Sequence, residues 1–278
     1  VAKPTPNANE VLIRINATAV NSGDCRLRKA DPFAVRFFFG LLKPKTTILG
    51  SVFSGEVESV GLAVKQYKAG DLVFGHTDMI LGAYAAYKCM PEGGSLAIKP
   101  ASMTHAEAAV IPFGAVTALH FLKKANIQAG QKILVLGASG AVGSAVVQLA
   151  KSYGAIVTGV CSTANTALVK SIGADAVLDY TKEDFTQNAE VYDVIFDTVN
   201  TINISRALPS LSKNGVLILS AAGMPEMLHG LWISMTSKRK VMSGVISHTK
   251  ADIVFLKELI EAGKYKAVID RSYPLEQI

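Results

Sequence analysis

A glycine triplet set between an apolar run and a helix-like stretch constrains this chain more than any other feature. The segment reads Ile133-Leu134-Val135-Leu136-Gly137-Ala138-Ser139-Gly140-Ala141-Val142-Gly143. Ile133–Leu136 has the pattern of a short buried strand. From Ala141 onward, apolar residues at 142, 145, 146, 149 and 150 recur at helical spacing. The spacing is G-x-x-G-x-x-G rather than the commoner G-x-G-x-x-G, and a lone glycine triplet specifies little. Following a strand and opening a helix is the context that gives it meaning. Glycine permits a tight turn and lets main chain approach a ligand without Cβ interference. The helix start behind it offers unpaired N–H groups and partial positive charge, which suits a pyrophosphate. Gly143 lets that helix pack closely on the sheet. No Gly-Lys-Ser/Thr follows, so a P-loop is excluded. Glycines serving strand–helix packing alone are the rival reading.

The flanking sequence repeats the alternation. Ile156–Val160 reads as a second strand, Thr166–Ile172 as a helix stopped by Gly173, and Ala176–Leu178 as a third strand. Val194–Phe196 and Val216–Leu219 add two more. This order predicts a Rossmann-type α/β fold with a doubly wound, mostly parallel sheet binding a dinucleotide. The second strand bears on which one. An NAD site usually ends this strand in Asp or Glu, which holds the ribose 2′-hydroxyl. Here it ends Gly159-Val160-Cys161-Ser162-Thr163, with no acid before Asp175. The small hydroxyls leave room for a 2′-phosphate, which favours NADPH. The nearest base, Lys170, lies well into the helix, and Ser162 and Thr163 serve equally as helix caps.

The first hundred residues read differently. Val11–Ile15, Val52–Val60, Asp71–Gly75 and Gly82–Cys89 are short strand candidates among frequent glycines and prolines, which predicts a β-rich domain. Thr104 to Glu107 has capping-box character ahead of an Ala-rich helix that Pro112 interrupts, with helical character resuming over Thr117–Lys124. A helix over Asp252–Ala262 and an apolar strand over Ala267–Ile269 close the chain. The formal net charge of +6 is scattered; its densest run is Lys238-Arg239-Lys240, a solvated segment. No basic stripe with interleaved aromatics occurs, which disfavours nucleic acid. Cys25, Cys89 and Cys161 lie far apart, against a disulfide framework or structural zinc and in favour of a reducing cytoplasm. No run of about 18 apolar residues supports a membrane span.

Four segments together resemble the zinc-independent quinone oxidoreductases of the medium-chain dehydrogenase/reductase superfamily: AVNSGDCRLR, GASGAVGSAVVQLAKSYGAIVTGVCS, VKSIGADAVLDYTKEDF and YDVIFDTV. They fall in family order across nearly the whole chain. The resemblance implies a GroES-like domain over residues 1–112, an NADP(H)-binding Rossmann domain over 113–247, and a return to the first domain over 248–278. It also implies that both ends are incomplete, and that the protein is a homodimer. At matching positions it implies that Asn21 lies beside the nicotinamide and substrate, with Asp24 supporting its loop. Thr117 contacts the cofactor near the nicotinamide ribose. Ser139, Gly140, Ala141 and Val142 meet the pyrophosphate, and Ser162 and Tyr180 flank the adenosine ribose and its phosphate. Val199 and Ala221-Ala222-Gly223 line the nicotinamide side. Asn21 as a turn residue and Tyr180 as a sheet-edge aromatic are the plainer alternatives.

The chain departs from its relatives in instructive places. Zinc-dependent members carry Cys near Asn21 and Gly-His-Glu near Gly50-Ser51-Val52, and none of those ligands is present, so no zinc and no other metal is expected. Many quinone reductases have Gly-x-Asp where Val52 stands, which removes a usual support of the active-site loop. Ala164 replaces the base that often follows the second strand. Tyr84 and Lys88 spell Y-x-x-x-K, but ahead of the glycines and in a strand-like run, so the match to short-chain dehydrogenases is chance. The expected chemistry is metal-free hydride transfer from NADPH to a small, apolar, electron-poor quinone or similar carbonyl acceptor, with Asn21 donating a hydrogen bond to the developing oxyanion. Reduction of an enone, 2-alkenal or enoyl thioester is one alternative, and a catalytically silent nucleotide-binding protein is another. The apolar run Phe33–Leu42, with Phe38 at its middle, reads either as a substrate mouth or as core or subunit contact.

Overall fold

The computed structural model describes every residue except Val1, Pro32 and Ala34, with main chain alone at Phe38 and Met79. It divides into two compact units. The first comprises Val1–Phe113 and His248–Ile278, the second Gly114–Ser247.

The first unit is built on a five-stranded antiparallel sheet, β1 (Glu10–Thr18), β2 (Val52–Val60), β3 (Leu72–His76), β4 (Tyr87–Pro91) and β5 (Leu96–Ile98). The order is β4-β1-β2-β3-β5. The alternating sequence of β1 and β2 turns Val11, Ile13, Phe53 and Val57 inward onto Tyr67, Val73, Met90 and Leu96, which form one core cluster. Two helices follow β1, namely α1 (Ser22–Lys29) and α2 (Val35–Phe39). The strand expected over Gly82–Cys89 begins later, at Tyr87. Leu81 and Gly82 both adopt positive φ, and the N–H groups of Ala83 and Tyr84 bond the carbonyls of Gly50 and Leu49 instead of a strand partner.

The long helix α3 (His105–Ala125) starts with the expected capping box, Thr104 N–H donating to Glu107 Oε2 at 2.8 Å and Glu107 N–H to Thr104 Oγ1 at 3.2 Å. Pro112 does not interrupt it. The residues around it, Ala108, Ala109, Ile111, Ala115 and Val116, are buried, and this packing outweighs the one hydrogen bond that proline forfeits. By length and composition α3 also passes as a membrane span, but 67% of its apolar window is buried inside the protein, as befits a core helix.

The second unit holds a six-stranded sheet paired in parallel: β6 (Lys132–Leu136), β7 (Ile156–Cys161), β8 (Ala176–Asp179), β9 (Tyr192–Asp197), β10 (Leu211–Leu219) and β11 (Lys240–Ser243). The order β11-β10-β9-β6-β7-β8 places the first strand beside both the second and the fourth. Chain direction therefore reverses its progress between β6 and β9, and a doubly wound sheet opens its ligand crevice at that switch point. Helices α4 (Ala141–Ser152), α5 (Thr166–Ser171), α6 (Ile204–Ala207) and α7 (Met224–Thr236) connect the strands. The β10–β11 connection and α7 escaped the sequence reading, because Met224–Thr236 is apolar nearly all round and shows no clean stripe. Arg239, from the basic run, donates to the carbonyls of Leu211 and Ser212, a structural use.

In the returning segment, α8 (Lys250–Glu261) is opened by a capping box between Thr249 and Asp252 and packs on β5. The strand expected over Ala267–Ile269 is absent. Three apolar residues without a ladder partner do not hold a strand.

Candidate active site

In the second unit the glycine turn closes the end of β6. Gly137 has φ of 74°, in the left-handed region. A Cβ there would stand 2.6 Å from Val199 Cγ1 and 2.7 Å from Thr198 Oγ1, so the end of β6 touches the end of β9 at the switch point. A Cβ on Gly143 would overlap the Gly137 carbonyl, which is why α4 lies so close to the turn. Gly140 is the N-cap of α4, extended and exposed, and Ala141 beside it is exposed too. Ser139 and Val142 are half-buried. The first N–H groups of α4 have no intrahelical acceptor and meet solvent at this exposed end, the arrangement that holds a phosphate. A Cβ would fill the cradle at two of three glycines and leave it open at Gly140, so these residues fit a dinucleotide pyrophosphate.

Two of the other expected contact segments follow the ends of β9 and β10. Asp197, fully buried at the end of β9, accepts hydrogen bonds from the N–H groups of Val199, Asn200 and Ile202 and so shapes the loop that presents the exposed Val199. Ala221, Ala222 and Gly223 follow β10, half-buried, with Gly223 as the N-cap of α7. Thr117 is buried on α3.

The tip of β7 shows what the sequence reading missed. Cys161 pairs with Asp179 across to β8, and Asp179 accepts hydrogen bonds from the hydroxyls of Thr163 and Thr181. Those hydroxyls hold the Asp179 carboxyl well below the usual range, so it is anionic. Lys182 Nζ lies 3.4 Å from its Oδ2. The acid-free tip therefore has an acid beside it, delivered by the neighbouring strand, together with a base. Tyr180 is exposed next to this cluster, and Ser162 is half-buried with no cap bond from its side chain. The pairing of β7 with β8 carried the signal, since it brings LDYTK alongside CST.

In the first unit Asn21 caps α1, its Oδ1 accepting from Asp24 N–H at 3.1 Å. Its Nδ2 donates to Asp24 Oδ2 and to Ser51 Oγ, both at 2.7 Å. Tyr84 donates its hydroxyl to the same Asp24 oxygen at 2.9 Å, and Ser51 Oγ lies 3.4 Å from it. All of this is buried or half-buried. Burial raises the Asp24 pKa, against the lowering effect of Tyr84 and its other donors. Ser51 and Tyr84 thus brace the Asn21 loop. Tyr84 is occupied by Asp24, and Lys88 sits apart in β4, which removes the apparent Y-x-x-x-K pair. Phe33 and Phe37 meet edge-to-face at 6.0 Å and are both exposed, so neither is core, while the side chain of Phe38 lies outside the described residues.

The comparisons with known proteins agree with this architecture. An alcohol dehydrogenase GroES-like domain model matches residues 7–112, and a zinc-binding dehydrogenase model matches residues 172–278. A chloroplast envelope quinone oxidoreductase homolog of Arabidopsis thaliana is 34% identical, covering 100% of this chain and 86% of its own length. A chloroplastic NADPH-dependent alkenal/one oxidoreductase of the same plant is also 34% identical, covering 99% of this chain and 68% of its own. The quinone oxidoreductase of Coxiella burnetii shares the fold, with a TM-score of 0.88 at 24% identity over 100% of this chain and 86% of that one. The chain belongs to the quinone oxidoreductase family of the medium-chain dehydrogenase/reductase superfamily. It is an oxidoreductase with a GroES-like unit and a Rossmann unit.

Proposed function

We propose that this enzyme reduces a small, apolar, electron-poor quinone or related carbonyl acceptor with NADPH and without a metal Lewis acid. The carrying observation is the glycine turn at the β6–β9 switch point, where the exposed start of α4 fits a pyrophosphate. NADPH, when bound, supplies a hydride, two electrons with one hydrogen. Thr117, Val199 and Ala221-Ala222-Gly223 orient its nicotinamide end, and Ser162, Tyr180 and Lys182 take the adenosine end with its 2′-phosphate. A proton from solvent completes a hydroquinone, so no acid–base pair is required.

Asn21 acts on the acceptor oxygen. Its Nδ2 hydrogens are both engaged, so the oxyanion displaces one of its acceptors. Ser51 is the exchangeable one, because its own hydroxyl has a second partner in Asp24 at 3.4 Å. The alkenal/one reductase relative supports a second reading, hydride delivery to the β-carbon of an enone followed by protonation of the enolate. Three unpaired cysteines suit a reducing compartment such as the cytoplasm. A homodimer gives cover to the apolar face of α7, where Leu228, Leu231, Trp232 and Met235 are exposed.

The test is a binding titration of NADPH against NADH, followed by a panel of quinones and 2-alkenals monitored by NADPH consumption. Tighter NADPH binding and turnover of quinones are expected. Faster turnover of alkenals transfers the assignment to the second reading. NADPH binding with no turnover of any acceptor refutes both and leaves a silent nucleotide-binding protein.

A further inference from the structure

Three residues that the reaction does not use converge in the first unit. His76 ends β3, Asp78 follows in the next turn with a φ of 53°, and His248 is the first residue of the returning segment. His248 Nε2 lies 2.6 Å from Asp78 Oδ1, and His76 Nδ1 lies 3.8 Å from that same oxygen. The two imidazoles stand edge-to-face with centroids 4.6 Å apart. One donor atom from each residue can be chosen so that all lie within 4.8 Å of one another.

We propose that His76, Asp78 and His248 form a binding site for a divalent transition-metal cation, with Zn²⁺ the best match. Two imidazole nitrogens and one carboxylate oxygen are a donor set for borderline cations, and zinc accepts three protein ligands with water as the fourth. Zinc–ligand bonds of about 2.0–2.2 Å in a tetrahedron separate the donors by roughly 3.3 Å, and the observed 2.6 and 3.8 Å bracket that value. Small side-chain movements therefore close the site.

The strongest pointer is His248. Its side chain is nine-tenths buried and both ring nitrogens are sealed from solvent; Nε2 meets the Asp78 carboxylate at 2.6 Å, while Nδ1 has no hydrogen-bond partner among the described residues. Nε2 and Asp78 Oδ1 already face each other, and a cation takes both as ligands in place of their mutual contact. His76 is prepared as well. Its Nδ1 accepts the Asp78 N–H at 2.9 Å, so that nitrogen is unprotonated, and a cation takes its lone pair by displacing this bond.

The position is not that of the catalytic zinc in zinc-dependent relatives, where this chain has Asn21 and Ser51. It runs against the sequence expectation of no metal, which rested on cysteine spacing and on those catalytic positions. The cation pins the first residue of the returning segment to the end of β3 and takes no part in hydride transfer.

The test uses the full chain without a histidine tag, stripped with a chelator and then titrated with Zn²⁺ by calorimetry and thermal melting. One saturable equivalent is expected, with a melting temperature that keeps rising with zinc concentration above Kd. His248→Gln, His76→Gln and Asp78→Asn should each weaken binding by about 100-fold or more, since losing even an outer partner costs 10–100-fold. His229→Gln should leave it unchanged. If a variant fails to fold, Co²⁺ loaded into the wild-type protein decides. A tetrahedral nitrogen/oxygen spectrum supports the site, whereas thiolate charge transfer or no spectrum overturns it. No binding at millimolar zinc, or undiminished binding in H248Q and D78N, also overturns it.

Discussion

The two units bury different kinds of atoms. The first encloses polar side chains throughout: Asn21, Asp24, Ser51, Ser54, His76, Thr77, Lys88, Ser95 and Lys99. The second has fewer, and its core cluster is made of Leu and Ile with one Val, one Ala and one Tyr. The sites differ in the same way. The second unit makes its phosphate cradle from main chain, with glycines clearing the space. The first makes its Asn21 loop from side chains that satisfy one another. A main-chain site fails by clash, a side-chain site by leaving a partner unpaired, and substitutions separate the two.

The largest effect belongs to the glycines. Gly143→Ala should cost roughly 3 kcal/mol or more, because its methyl overlaps the Gly137 carbonyl and neither the turn nor α4 has room to yield. Gly140→Ala meets only the Gly137 carbonyl at 3.4 Å with an ordinary φ of −77°, so stability should change by less than about 1 kcal/mol. Its exposed methyl would instead obstruct the pyrophosphate. Chemical denaturation paired with NADPH titration reads both. If G140A binds NADPH as tightly as the wild type, the cradle is placed wrongly.

Asp24 tests the other mode. Asp24→Ala removes the acceptor of one Asn21 N–H and leaves the Tyr84 hydroxyl only the Ala19 carbonyl at 3.4 Å, and should cost about 1–3 kcal/mol. Asp24→Asn keeps an acceptor and removes a charge that burial disfavours, so its loss should stay within about 1 kcal/mol. Equal losses in the two variants would mean that charge, not acceptor geometry, braces the loop.

This contrast also explains what the sequence discloses. Gly137, Gly140 and Gly143 are legible because a clash is a local matter, settled by a strand, three glycines and a helix within a dozen residues. Asp197 is less so, since its role is to gather N–H groups of a loop that no periodicity marks. The Asn21 network joins residues 21, 24, 51 and 84, and only strand pairing and the Gly50–Ala83 contact bring them together. The same holds for Asp179 beside Thr163, where an acid on the third strand reaches the tip of the second. Pro112 and the run Ala267–Ile269 mislead for the opposite reason. There local propensity is plain, and burial around α3 in the one case and the lack of a ladder partner in the other overrule it.

Tyr67 sharpens the comparison through pH. Its hydroxyl donates to the Leu96 carbonyl at 3.0 Å inside the first unit, and burial pushes its pKa up to about 12. An unfolded tyrosine ionises near pH 10. The folded state therefore keeps a proton that the unfolded state gives up, and the stability Tyr67 contributes is intact below pH 10 and is lost as pH rises toward 12. Melting curves across that range should fall more steeply for wild type than for Tyr67→Phe. Parallel curves would mean that the alkaline limb arises elsewhere.

The smallest expected effect decides the cofactor. Asp179 is anionic at the β8 end, where the 2′-phosphate of NADPH is proposed to lie, and Lys182 offsets it from 3.4 Å. Lys182 is exposed and Asp179 lies beside it at the edge of solvent, so the pair is screened: charge pairs of this kind change affinity by about two- to fivefold. Asp179→Asn should tighten NADPH by that factor while NADH is unchanged or weaker, since an acid at this tip can also hold a free 2′-hydroxyl. Lys182→Ala should shift the preference the opposite way, and both shifts should shrink as salt is raised. Equal changes for the two nucleotides would show that Asp179 only ties Thr163 and Thr181 together. The preference for NADPH would then rest on Ser162 and Tyr180, main-chain space and an exposed aromatic, rather than on charge.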